Sequence, residues 1–308
     1  VEDIKRAFDQ FLIDKVRQTQ ALYQKADTYL DEVKSLENLL LPSDANLSNA
    51  IGEFFGSLQQ IAAAPDDQAP RIISIEKGKD LAGQFNLYSD RIDNLKEKIF
   101  DKANNAVTSV NLLSNQISTI NAKLLSSGSG SSSNALLDQR DILIDQLSEV
   151  CQISVRYINK GAAQVRLGNT GSGPVIVEPE SSVSAGTNQS PSTIPINVIK
   201  QGSRLQPVVG SGNVATNQIQ GGIIAGLVDA YALADDTLKE IDSLAELLSS
   251  KFNEINMSGL NLDGKKGGQM FSVSSLEAVE NPTNRSNVGV AIFVTDPNKI
   301  KSDDYNVI

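Results

Sequence analysis

The sequence predicts a mainly α fold with β: an elongated antiparallel bundle of long helices, a small inserted antiparallel sheet, and a C-terminal β unit that is truncated. Three observations predict it. First, a 3-4 apolar alternation runs through Ile224, Leu227, Tyr231, Ala234, Leu238, Ile241, Ala245, Leu248, Phe252 and Ile255, the pattern of a long helix packed along another. Second, the same spacing joins Leu81, Phe85, Tyr88, Ile92, Leu95, Ile99, Ala103, Ala106, Val110, Leu113, Ile117, Ile120 and Leu124. Its extra four at Ile99 to Ala103 reads as a stutter, and such a stripe makes a rod of roughly 65 Å. Third, from Cys151 the apolar period changes to two, which is the signature of strands.

The first helix is expected from about Asp3 to Leu41, with Ile4, Phe8, Phe11, Leu12, Leu22, Ala26, Tyr29, Val33, Leu36 and Leu40 inward, and Pro42 ends it. Ser43, Asp44 and Asn46 offer caps for a shorter second helix carrying Leu47, Ile51, Phe54, Phe55, Leu58 and Ile61, up to Pro65. Asp66 and Asp67 cap the third helix, which tolerates Pro70 in its first turn and runs to about Leu125. The stretch SSGSGSSS from Ser126 to Ser133 has nothing apolar to bury and reads as a flexible connection. A fourth helix follows from Ala135 to about Val150, capped by Asn134, with Leu136, Leu137, Leu143, Ile144, Leu147 and Val150 inward.

Then Ile153, Val155 and Tyr157 alternate with Ser154, Arg156 and Ile158, and Asn159-Lys160-Gly161 supplies a turn to a return strand at Val165 and Leu167. Val175 to Val177 predicts a third strand, with weaker candidates at Ile194 to Ile199 and Leu205 to Val209 and loop from Glu180 to Thr193. A fifth helix is expected from about Gln220 to Met257. Beyond it, Phe271 to Ser274 and Val288 to Thr295 read as strands. The expected division is therefore a helical core over 1–270, with the β insertion at about 151–218, and the start of a second, β-rich domain over 271–308.

Composition removes several function classes. Asp and Glu number 37 against 27 Lys and Arg, a net charge of -10, which opposes general binding to nucleic acid or anionic lipid. The most apolar stretch, Ile223 to Ala234, is far short of the ~20 residues that span a bilayer. Histidine is absent and Cys151 is alone. Imidazole-based nucleophilic catalysis, imidazole zinc sites, thiolate clusters and internal disulfides are thus excluded. Cys151 reads as a small, half-buried apolar residue at a strand start. Beginning at Val1 without Met and stopping within a strand pattern, the chain reads as a piece of a longer protein.

Few side chains suggest chemistry. Arg140 projects from the apolar stripe of the fourth helix, so its guanidinium must meet an acid or backbone carbonyls, while Asp138 and Asp141 read as a solvated face. Asn261, Asp263 and Gly264 match three positions of a calcium loop, but Gly259 and Met270 stand where ligands are needed, so a glycine-rich turn is the better reading. Gly221, Gly222 and Gly226 lack the strand and Lys of a phosphate loop and predict close backbone packing instead. No residue is assigned a catalytic, cofactor-binding or metal-binding role, no cofactor is expected, and the chain is not expected to be an enzyme.

Several blocks carry a family resemblance. They are Phe54-Phe55-Gly56-Ser57-Leu58-Gln59 with Ala62 to Pro65 and Arg71, Asn134 to Asp141 with Leu147, and Gly221 to Leu227. Ile241 to Ala245, Phe252-Asn253, and Gly259 through Phe271 complete the set. Together they resemble the flagellar hook-associated protein 1 family over most of residues 45 to 295. Asn256 stands where that family often has His. The resemblance implies a structural subunit of the hook-filament junction of the bacterial flagellum, exported through the flagellar type III apparatus and located outside the cell. It also implies, as partners, hook protein, the second junction protein and further copies of itself, with an export chaperone for the full-length protein. Read this way, the chain is a core fragment lacking both terminal segments, monomeric by itself, with neither nucleic acid nor membrane as partner. The alternative from a different class is a secreted helical adhesin or translocator-type protein that binds a partner surface.

Overall fold

The computed structural model describes residues 10–41, 46–126, 131–179, 192–261, 264–273 and 290–292. Five α-helices carry the chain: α1 (Gln10–Leu40), α2 (Leu47–Ala63), α3 (Gln68–Ser126), α4 (Ser131–Val150) and α5 (Ile223–Ser258). Between α4 and α5 lie β1 (Ile153–Tyr157), β2 (Ala163–Leu167), β3 (Val175–Glu178), β4 (Ser192–Thr193), β5 (Ile196–Gln201), β6 (Arg204–Val209) and β7 (Val214–Ala215). After α5 come β8 (Phe271–Val273) and β9 (Val290–Ile292). The fold class is as expected, but the insertion forms two antiparallel sheets, ordered β1-β2-β3-β4 and β5-β6-β7, where one was expected.

The chain divides into two compact units. One comprises Val1–Lys34 and Glu97–Leu233, the other Ser35–Lys96 and Ala234–Ile308. Helices α1, α3 and α5 contribute segments to both. The first unit holds both sheets of the insertion, and the second holds α2 and the β8-β9 pair.

Local signals account for the starts of α2 and α3. Asn46 caps α2, its side chain accepting from the Asn49 amide at 2.8 Å. The Asp67 carboxylate accepts from the Ala69 amide at 2.9 Å at the start of α3. At α4 the expectation fails: Ser131 to Asn134 are helical, so Asn134 is not the cap. Serine has middling helix propensity, and a short serine run can extend a helix that a leucine-rich segment has already nucleated. The expected residues 3–9 of the first helix, the caps Ser43 and Asp44, most of the 180–193 loop and the ends of the last two strands lie outside the described residues.

The seams of α3 and α5 follow the predicted spacing. Every residue of the α3 list is buried except the half-buried Leu113, whose place Ser114 takes. Along α5 the buried line passes from Phe252 to Asn256, and Ile255 is exposed instead. The cause is a hydrogen bond, since the Asn256 amide donates to the Gly268 carbonyl at 2.7 Å. In the second unit, Phe54, Leu58, Ile61, Leu81, Phe85, Phe252, Met270 and Phe271 belong to one apolar core.

Helix α1 keeps the expected Leu36 buried and Tyr29, Val33 and Leu40 half-buried, but its N-terminal half turns a different face inward from the one its apolar residues predict. Arg17, Ala21, Glu32 and Leu36 are the buried positions, whereas Phe11, Leu12 and Leu22 are exposed. The reason is close backbone approach within the first unit. A Cβ on Gly226 of α5 would sit 2.6 Å from the Lys25 carbonyl oxygen, and one on Gly221 would sit 3.3 Å from Ala21 Cβ. The helix therefore docks where the residues opposite it are glycines, not where its own side chains are most apolar.

Candidate functional site

Three internal fastenings consume much of the distinctive chemistry of the chain. The first lies in the first unit around Arg140, which is 3% exposed. Its Nε and Nη2 donate to Asp141 Oδ1 at 3.0 and 2.6 Å, Nη1 donates to the Gly161 carbonyl, and the guanidinium lies 4.4 Å from the Tyr157 ring centroid. Both expected partners of a buried arginine, an acid and a carbonyl, are therefore present at once. Asp141 is itself buried rather than solvated, because its carboxylate is the acid that neutralises Arg140. The knot extends to Arg17, whose Nε donates to Asp145 at 2.7 Å and whose Nη1 donates to the Tyr157 hydroxyl at 3.1 Å. Burial alone would lower the Arg17 pKa, but Tyr157 and Asp145 together outweigh it and raise it. Burial pushes the Tyr157 hydroxyl up, with Arg17 pulling it back.

The second fastening ties α3 to the two inserted sheets through side-chain amides. Asn121 donates to the Ala163 carbonyl and accepts from the Ala163 amide, both at 2.8 Å. Asn111 does the same for Ile196, both at 2.9 Å. Each amide behaves as one more residue of a β ladder. Sequence reasoning missed both, since asparagines among the polar positions of a helix look alike.

The third gathers the family blocks of the second unit. Phe54, Phe252 and Phe271 pack mutually edge to face, with centroids 5.1 to 5.5 Å apart. Asn253, the partner of Phe252 in the FN pair, donates to the Phe271 carbonyl at 2.5 Å and accepts from the Met270 and Phe271 amides at 2.8 and 2.9 Å. Elsewhere in the second unit, Lys96 and Asp235, 3% and 1% exposed, form an ion pair at 2.6 Å. Lys239 reaches the other oxygen of Asp235 at 2.8 Å. Burial alone would raise the Asp235 pKa, but the two lysines prevail and lower it.

The remaining candidates resolve as packing elements. Cys151 is fully buried rather than half-buried, and burial pushes its thiol up to about 12, so at neutral pH it is an inert apolar group. Gly222, at φ 86°, lies so close to Val150 and Cys151 that a Cβ would fall 2.5 Å from the Val150 carbonyl oxygen. Asn261 closes a turn by accepting from the Lys265 amide at 2.9 Å, and Gly264 has φ 74°. Asp263 lies outside the described residues. Among the described residues, no three acids or cysteines are grouped to hold a metal ion. No described helix is long and apolar enough to cross a membrane.

What the molecule leaves open is a helical surface. On α1, Leu12, Val16, Tyr23 and Leu30 are 49 to 60% exposed and recur at heptad-like spacing, with Phe11 and Leu22 beside them. The stripe borders a groove of about 480 Å³ between α1 and α4, lined by Leu12, Ile13, Val16, Arg17, Asp145 and Glu149 among others.

A mainly helical chain with inserted antiparallel sheets, whose buried charged and amide groups are spent on internal fastening, has the architecture of a structural protein. A family model agrees. That for the flagellar hook-associated protein FlgK helical domain matches residues 33–271, and the chain belongs to this family. Flagellar hook-associated protein 1 of Salmonella typhimurium is 23% identical over 316 residues, covering 100% of this chain and 56% of that protein. Its counterpart from Bacillus subtilis is 25% identical over 295 residues, covering 90% of this chain and 58% of that protein. The chain thus spans somewhat more than half the length of these relatives. Among solved structures, the flagellar hook junction protein FlgK from Burkholderia pseudomallei is 24% identical with a TM-score of 0.70, over 84% of this chain and 46% of that one. That likeness shows the fold.

Proposed function

We propose that this chain is the helical part of a structural subunit of the bacterial flagellum, at the junction of hook and filament and outside the cell. Its work there is mechanical, and it is not an enzyme. Family membership and the names of its relatives support the reading. The observation in this molecule that carries it is the open apolar stripe of α1, since a contiguous exposed patch of this kind marks a surface that other polypeptide covers. Hook protein, the second junction protein and further copies of the chain are the proposed neighbours, and an export chaperone serves the full-length protein before assembly. No observation favours the adhesin or translocator alternative. The division at about 270 between the helical core and a further β-rich part belongs to the same proposal, and the family model, which ends at residue 271, supports it.

Complementation tests this reading. A strain lacking flagellar hook-associated protein 1 sheds its filaments into the medium if the junction is what it lacks, and the full-length gene encoding this chain is expected to restore attached filaments. With Val16→Asp and Tyr23→Asp together, the secreted protein is expected to keep its helical circular dichroism and fail to restore attachment. Full attachment by the double variant would remove the stripe from the argument, and failure of the unaltered gene would remove the function.

A further inference from the structure

The outer face of the β1-β2-β3-β4 sheet carries a concavity with two arginines, Arg156 and Arg166, that no carboxylate pairs with among the described residues. Pairing of β1 with β2 sets Ser154 opposite Arg166 and Arg156 opposite Gln164. Alternation puts all four on the face away from buried Ile153, Val155, Val165 and Leu167. With Gly171 and Val155, which joins them between Ser154 and Arg156, they line an open concavity of about 320 Å³. Elsewhere in the molecule Arg17, Lys25, Lys77, Lys96, Lys102, Arg140, Lys200 and Lys239 each meet a carboxylate. Arg156 and Arg166 form no ion pair among the described residues, although the chain carries ten more acids than bases.

The site is also partly built in advance. Arg166 Nη1 donates to the Gly173 carbonyl at 3.1 Å and its Nε to Gln164 Oε1 at 3.3 Å, which holds the guanidinium in place with no partner for Nη2 among the described residues. Gln164 in turn donates to Glu178 at 2.8 Å, and this is the acid at the margin of the face. Arg156 is exposed and makes no hydrogen bond among the described residues. Ser154 lines the same concavity, and its Oγ is shielded from solvent with no hydrogen-bond partner among the described residues, whereas buried polar groups are ordinarily paired.

We propose that this face binds an acidic segment of a protein partner, with Arg156 and Arg166 taking carboxylates and Ser154 supplying a further donor. Diagonal cross-strand neighbours lie about 7–8 Å apart at the backbone, within reach of two long side chains converging on one group or holding two adjacent ones. The planar guanidinium fork matches a carboxylate in two parallel hydrogen bonds. Volume separates the sources of such a group: a free small anion would be contacted on one side only in a concavity this wide and open, whereas a peptide fills it.

The test follows the arginine Nε–H signals by NMR as the protein is titrated with tetraglutamate, and separately with inorganic phosphate, at constant ionic strength. Tetraglutamate is expected to shift Arg156 and Arg166 together and saturably while Arg91 and Arg204 stay in place. Arg156→Gln, a change at an exposed side chain, is expected to weaken binding about tenfold, and Ser154→Ala to weaken it by a smaller factor. Three results would overturn the proposal: shifts that never saturate, equal shifts at Arg204, or saturation by phosphate with none by tetraglutamate.

Discussion

At the scale of single residues, the buried charges decide what is costly to change. Arg140 lies inside the first unit, and its removal strands Asp141 away from water as well as freeing the Gly161 carbonyl. Breaking one partner of a buried pair costs about 3 kcal/mol. Arg140→Ala is therefore expected to lower the unfolding free energy by about that amount in a denaturant titration, and a loss below about 0.5 kcal/mol would mean that the side chain reaches water. Arg140→Lys is expected to recover only part of the loss, since an ammonium cannot serve the acid, the carbonyl and the Tyr157 face together. The need for a partner was legible in the sequence, because an arginine in a leucine stripe must be satisfied. The identity of that partner was not. Asp141 is adjacent in sequence, and helical periodicity placed it outward, yet the guanidinium folds back onto it.

At the scale of elements, side-chain amides and glycines set how neighbours dock. Asn121 serves both backbone groups of Ala163, and all these atoms are buried. Asn121→Leu preserves size and leaves an N–H and a C=O without partners, which costs about 2 kcal/mol. Asn111→Leu, at the half-buried pair with Ile196, is expected to cost about 1 kcal/mol. Hydrogen exchange gives the sharper readout: the Ala163 amide should lose protection in the first variant while amides at the middle of α3 keep theirs. Gly222 makes the same point through the backbone. Its φ of 86° and the 2.5 Å approach of a Cβ to Val150 oxygen act together, so Gly222→Ala is expected to destabilise by about 3 kcal/mol in thermal unfolding. An alanine variant as stable as the parent would show that α5 can enter the fold by another path.

At the scale of the whole molecule, what could be read in advance depended on how regular the packing is. The seams of α3 and α5 are long and apolar, so periodicity alone located them, and where a polar residue takes over, at Ser114, Ser249 and Asn256, it slipped by one position. The N-terminal half of α1 was misread because its contacts run through Arg17, Ala21 and the glycines Gly221 and Gly226 at the entrance of α5, which no apolar count detects. Strand alternation placed Ser154 and Arg156 on one face, but their neighbours Gln164 and Arg166 came only with the register of β2. The buried ion pair of the second unit was equally invisible, for Lys96 and Asp235 are far apart in sequence and each looks like an ordinary surface charge. That pair predicts how the molecule responds to acid. The folded Asp235 carboxyl is held below its ordinary value by Lys239 and Lys96 against the opposing effect of burial. A depressed carboxyl contributes stability that is complete above its unfolded pKa, about 3.9, and disappears as pH falls through the lower folded value. Unfolding free energy should therefore decline from about pH 4 downward, beyond the decline shared by all exposed carboxylates. In Asp235→Asn, Lys96 loses its buried carboxylate partner at 2.6 Å while Asp93 stays at 3.3 Å, and stability at pH 7 is expected to fall by about 2 kcal/mol. The difference between parent and variant should then shrink between pH 4 and pH 2, measured by denaturant titration at each pH. A gap that stays constant across that range would show that Asp235 keeps its charge in both states, and that acid acts on the fold through other carboxylates.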